Sequence, residues 1–109
     1  MNGRGFIPYG RQQVDEDDIA AVVEVLRGDW LTTGPAVERF ECAFAQLVGA
    51  DHAVAVTNGT AALHLAMLAA GIGPEHEVIV PTMTFAASAN AARYVGASVR
   101  FCDVRPDTL

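Results

Sequence analysis

Short apolar runs alternate with helix-period segments through the second half of this 109-residue chain, and the alternation predicts an α/β fold with a mostly parallel sheet. Two further observations agree. Apolar residues make up 51% of the chain against 18% charged, enough material for a core and unlike a disordered composition. Glycine and proline punctuate the runs at Gly28, Gly34-Pro35, Gly49, Gly71, Gly73-Pro74, Pro81 and Gly96, where elements should stop or start. The expected order is helix, helix, strand, helix, strand, helix, strand, with right-handed crossovers between parallel strands.

Residues 1–14 place Phe6, Ile7 and Tyr9 among Gly3, Gly5, Pro8 and Gly10, the pattern of an extended arm. Two helices fill residues 15–49. The first opens on Asp15-Glu16-Asp17-Asp18, where the helix dipole favours acids, runs through Ile19, Val22, Val23 and Leu26, and stops at Gly28. Capping and solvation account for these acids, since no histidine or further acid converges on them to make a metal site. Trp30–Gly34 is a loop, and Pro35 suits the first position of the second helix. Val37, Phe40, Phe44, Leu47 and Val48 form that helix's apolar face, with Phe40 and Phe44 expected in the core, and Gly49 closes it.

Residues 53–109 read as the start of a βαβαβ sheet. Ala53–Thr57 is the expected first buried strand, and a helix follows from about Thr60 to Ala70. That helix is apolar nearly all round, so it should be covered on several sides. His64 on it reads as a satisfied core or interface histidine. Val78–Val80 is the second strand and Pro81 its terminator. A helix of small residues from about Phe85 to Tyr94 allows close approach to the sheet, and Ser98–Asp103 is the third strand. Three parallel strands make a poor complete domain, because such sheets bury both faces. The chain is therefore expected to be the opening third or so of a larger domain.

Charge and composition exclude several classes. The formal charge is -6 and the seven cations are dispersed, so no basic stripe suits nucleic acid. No apolar run is long enough to span a bilayer, and no apolar segment follows Met1–Gly5 as in a signal peptide. Cys42 and Cys102 lack metal-type spacing and read as reduced, packed thiols of a cytoplasmic protein. All seven basic residues are arginine; the chain has no lysine.

The chemistry concentrates at Asn58-Gly59-Thr60. A strand that breaks there into a helix leaves unpaired N–H groups and partial positive charge, a junction suited to a phosphate, with Gly59 removing the side chain that would hold a bulky anion away. Any α/β protein has such junctions, so this signal is weak alone.

Taken together, the motifs resemble the DegT/DnrJ/EryC1/StrS sugar-aminotransferase family of fold type I pyridoxal-phosphate enzymes. The resemblance is carried by Ile7–Gln12, Trp30–Val37, Asn58–Leu63, Glu77–Pro81, Thr84-Phe85, Gly96-Ala97, Asp103-Val104 and Asp107–Leu109. Ile7–Gln12 is most similar to the branch that makes 4-amino-4,6-dideoxy sugars, including the pseudaminic-acid pathway enzyme. The resemblance implies the N-terminal portion of the large cofactor-binding domain, with helices on both faces of a mostly parallel sheet. It implies that Gly59, Thr60 and Ala61 bind the phosphate of pyridoxal 5'-phosphate, Thr60 and Ala61 as main contacts. It also implies that Phe85 stacks on the pyridine ring, whereas from spacing alone Phe85 is a core residue at a helix start. Tyr9, Thr32, Thr33 and Gly34 would help shape a sugar-nucleotide pocket; read alone, the loop residues are only a polar lead into a helix.

The implied activity is amino transfer from glutamate to a UDP- or dTDP-linked 4-keto-6-deoxy sugar by a homodimer. The lysine that holds the cofactor's aldehyde, and the acid that pairs with its pyridine nitrogen, come from later strands in this family, so these 109 residues alone are expected to be inactive. Two alternatives stand beside it: a dehydratase of the same family with histidine in place of the lysine, and a non-catalytic α/β binding domain. An exposed sheet edge and an exposed Met/Ala/Leu-rich helix weigh against the latter.

Overall fold

The computed structural model describes residues 10–108; Tyr9 and the rest of the arm up to it lie outside them. Two compact units divide the chain, Met1–Val54 and Ala55–Leu109.

The first unit carries α1 (Glu16–Arg27) and α2 (Pro35–Val48). α1 starts where its acids require. The Asp15 carboxylate accepts from the Asp17 and Asp18 N–H groups at 3.1 and 3.0 Å, and Asp18 accepts from the Asp15 N–H at 3.1 Å, a reciprocal capping box. α2 has Pro35 in its first turn and ends on Gly49 at φ 69°, a left-handed position that costs glycine nothing. The expected core phenylalanines are not buried. Phe40 and Phe44 stack with ring centroids 5.8 Å apart, but both remain exposed and only Ala45 of this helix is buried. Helical spacing put the two rings on one face correctly, but a face is buried only when another element lies on it.

The second unit is built on α3 (Gly59–Ala69), β1 (Glu77–Pro81), α4 (Ala87–Tyr94) and β2 (Ser98–Cys102). β1 and β2 pair in parallel with Glu77 opposite Ser98 and Pro81 opposite Cys102, and α4 is the crossover between them. The core sits under α4. Ala91, Ala92 and Ala97 are fully buried and Val80 and Ala87 nearly so, because methyl side chains let the helix backbone settle onto both strands. α4 also packs against α3, and the His64 ring of α3 meets the Tyr94 ring of α4 edge-on at 5.4 Å.

Four expectations are corrected here. Residues 53–57 form no strand: the sheet of the described residues has two strands, since an extended segment becomes a strand only when its backbone enters a ladder. α3 has no buried residue, and Leu63, Leu65 and Leu68 are exposed, so nothing in the described chain encloses it. α4 begins at Ala87 rather than Phe85, which leaves Phe85 in the turn that follows β1. Cys42 and Cys102 are unpaired thiols as expected, but both are exposed rather than packed.

Candidate functional site

The start of α3 has the polar geometry that the Asn58-Gly59 break foretold. Asn58 is extended, at φ -169° and ψ 169°, and serves as the N-cap. Its side-chain oxygen accepts from the Ala61 N–H at 2.9 Å, and its backbone carbonyl accepts from the Ala62 N–H at 3.1 Å. Among the described residues, the N–H groups of Gly59 and Thr60 donate to no protein acceptor. They are the free donors of the first turn, at the positive end of the helix dipole.

These two residues open onto a cleft of about 620 Å³. Gly59, Thr60, Ala62, Leu63 and Ala66 of α3 form one wall, and Phe85, Ala87 and Ser88 the other. The walls are mostly apolar, with the hydroxyls of Thr60 and Ser88 as their side-chain polar groups. A Cβ built on Gly59 would meet no other atom within 4 Å, so the space above this backbone is open. Phe85 is 75% exposed, which rules out a core role among these residues and leaves its ring face available to the cleft it lines. Ala61, by contrast, does not line the cleft, and its N–H is already committed to Asn58.

Ser88 was not singled out from the sequence. Its hydroxyl lies 3.0 Å from that of Thr84, so one of the pair donates to the other across the first turn of α4. Loop chemistry continues at the ends of the strands. The Thr82 N–H donates to the Cys102 carbonyl at 2.8 Å, and beyond β2 the Arg105 guanidinium grips Asp107 through two bonds of 3.0 and 2.6 Å. That pairing holds the Asp107 carboxyl below the ordinary range and raises Arg105.

Thr32, Thr33 and Gly34 belong to the first unit. Thr33 and Gly34 line a cleft there with Trp30, Pro35, Val37, Glu38 and Glu41, while Thr32 does not. Thr33 sits at φ 47°, an uncommon conformation for a β-branched residue. Gly34 is tight against its own chain: an added Cβ would lie 2.5 Å from the Trp30 Cβ. The glycine thus serves the close approach of Trp30, a reason that spacing in sequence did not reveal. Tyr9 lies outside the described residues.

Fold and cleft define the class: an α/β protein with a cleft between a helix start and the turn beyond a parallel strand, where open α/β sheets place their ligands. The chain matches the model of the DegT/DnrJ/EryC1/StrS aminotransferase family over residues 12–109, and it belongs to that family. It is 44% identical over 104 residues to the UDP-4-amino-4-deoxy-L-arabinose–oxoglutarate aminotransferase of Shewanella sediminis, covering 95% of this chain and 27% of that protein. It is 46% identical over 104 residues to the spore coat polysaccharide biosynthesis protein SpsC of Bacillus subtilis, with the same coverage.

Among solved structures, Spr1654 from Streptococcus pneumoniae in its PLP-form superposes with a TM-score of 0.79 at 36% identity, over 94% of this chain and 26% of that one. A DegT DnrJ EryC1 StrS aminotransferase from Brucella abortus gives 0.72 at 41% identity, over 83% of this chain and 24% of that one. The chain therefore spans about a quarter of the length of the relatives it matches.

Proposed function

We propose that these residues are the opening part of the cofactor-binding domain of an enzyme that transfers an amino group from glutamate to a nucleotide-linked 4-keto-6-deoxy sugar. Membership of the aminotransferase family supports the reaction class, and relatives named for amino-sugar and polysaccharide synthesis support the substrate class. The observation that carries the reading is the cleft where two unpaired N–H groups, a hydroxyl and an exposed aromatic ring stand together.

Pyridoxal 5'-phosphate fits these residues. The Gly59 and Thr60 N–H groups and the Thr60 hydroxyl would hold its phosphate, in the open space that a side chain at position 59 would fill. Ala61, its N–H taken by the Asn58 cap, would hold the turn beneath the phosphate. Phe85 would lie against the pyridine ring, holding it in plane and keeping water from the reacting carbon. When bound, the cofactor supplies the electron sink and the carrier of the amino group, work that no side chain does. The 109 residues contain no lysine, so the amine that anchors the cofactor would come from elsewhere in the complete enzyme.

Thr32, Thr33 and Gly34, with Tyr9 of the arm, would shape the sugar-nucleotide pocket. The 4-amino-4,6-dideoxy-sugar branch suggested by Ile7–Gln12 fits this substrate, and the complete enzyme is read as a homodimer. No helix among the described residues is long and apolar enough to cross a membrane, and two unpaired thiols suit a reducing compartment, in keeping with a cytoplasmic enzyme. The test is to supply the complete purified enzyme with pyridoxal 5'-phosphate, 15N-glutamate and a UDP- or dTDP-4-keto-6-deoxyhexose. Label in the sugar is the expected result; label retained wholly in glutamate would overturn the function. Elimination of a sugar hydroxyl without nitrogen transfer would identify a dehydratase instead.

A further inference from the structure

We propose that Asn58 is a positioning residue of the cofactor cleft: it caps α3 with a neutral amide and so reserves the Gly59 and Thr60 N–H groups for a dianionic ligand. The inference rests on the reading of the cleft given above. It begins with a comparison inside the chain. At α1 the cap is a carboxylate, and Asp15 takes the N–H groups of both the second and third helical residues, Asp17 and Asp18. Glu16, Asp17 and Asp18 add three more acids to that first turn, so the dipole of α1 is answered by the chain's own charge.

α3 is built in the opposite sense. Its first turn holds no acid, and its cap is uncharged. The Asn58 oxygen takes only the third N–H, that of Ala61, while its amide nitrogen donates to the Thr57 hydroxyl at 3.4 Å. Both ends of the amide are thereby assigned, and the first two N–H groups are left pointing out of the helix start at the Gly59 opening. The helix itself does not demand asparagine, since aspartate and serine cap as well. What separates asparagine from aspartate is charge. A carboxylate at position 58 would preserve the cap and yet repel a phosphate held one or two residues away.

The test uses the complete enzyme stripped of cofactor, as wild type and as Asn58→Asp and Asn58→Ser. Three quantities are measured: affinity for pyridoxal 5'-phosphate, affinity for pyridoxal, which lacks the phosphate, and the denaturation midpoint. Asn58→Asp is expected to keep the wild-type midpoint and pyridoxal affinity while its affinity for pyridoxal 5'-phosphate falls by about tenfold or more, the scale of like-charge repulsion at a solvated site. Asn58→Ser should keep all three near wild type, which a role for the amide beyond neutral capping would not allow. The inference is overturned if Asn58→Asp binds pyridoxal 5'-phosphate within about twofold of wild type. It is equally overturned if that variant loses both ligands in proportion, or fails to fold. A wild-type enzyme with no preference for the phosphorylated ligand would instead bring down the cofactor reading itself, and this inference with it.

Discussion

Replacing Gly59 by alanine should lower cofactor affinity at no cost in stability. The new methyl group would meet no atom within 4 Å, and the residue is not held at positive φ, so the fold accepts it without strain. Alanine is the better helix former by up to about 1 kcal/mol in a helix interior and by less in a first turn, so the unliganded enzyme should be unchanged or slightly more stable. The cost falls on the ligand. Hydrogen bonds from N–H groups to a charged acceptor contribute about 1.5–3 kcal/mol each, and a methyl group in the Gly59 opening keeps the phosphate from closing on them. Loss of one such bond corresponds to a fall in affinity of roughly 10- to 100-fold.

Chemical denaturation of the apoenzyme and equilibrium dialysis against pyridoxal 5'-phosphate measure the two effects separately. An affinity unchanged within about twofold would refute the placement of the phosphate at this opening. A large loss of stability would refute the claim that the space is empty of protein.

Phe85→Ala should weaken cofactor retention by about 3- to 10-fold, the worth of an aromatic contact, while Phe85→Tyr retains it; dialysis again reads the outcome. Gly34→Ala should destabilise by about 1–3 kcal/mol, because its Cβ would press on the Trp30 Cβ, an atom fixed to the backbone, and denaturation midpoints would register the loss. Removing Arg105 should raise the Asp107 carboxyl toward its ordinary value in an NMR titration. Since the folded Asp107 is depressed, whatever its pairing adds to stability is present above the unfolded-state value and fades as pH falls through the folded one, and Arg105→Ala should weaken that dependence, leaving the smaller part due to backbone N–H groups.

Local signals reported local structure well. The acids before Ile19, Pro35 at the start of α2, and the glycines after Arg27 and Val48 located both helices of the first unit because capping and φ preferences act within one turn. β1, β2 and the small-residue α4 were legible from their apolar runs and alanines for similar reasons. Burial was not. Periodicity identified the apolar face of α2, and composition an α3 apolar nearly all round, but neither carried information about what lies against them, and Phe40, Leu63 and Leu68 are exposed. The segment at 53–57 shows the same limit for strands, because a ladder depends on a partner distant in sequence.

At the cleft, residue types pointed to the Gly59-Thr60 helix start and only the family resemblance pointed to Phe85; the structure gathers all three around one cavity. Which amides stay free was invisible in sequence, since Asn58 had to choose among several donors before Ala61 was taken. Ser88 and the Trp30–Gly34 contact escaped for a related reason: each depends on how a turn closes, which composition does not encode.

The most direct test is a crystal structure of the complete enzyme with pyridoxal 5'-phosphate bound. The phosphate oxygens are predicted to lie within hydrogen-bonding distance of the Gly59 and Thr60 N–H groups, with the pyridine ring against Phe85. A phosphate bound away from the start of α3, with Phe85 clear of the ring, would contradict the account.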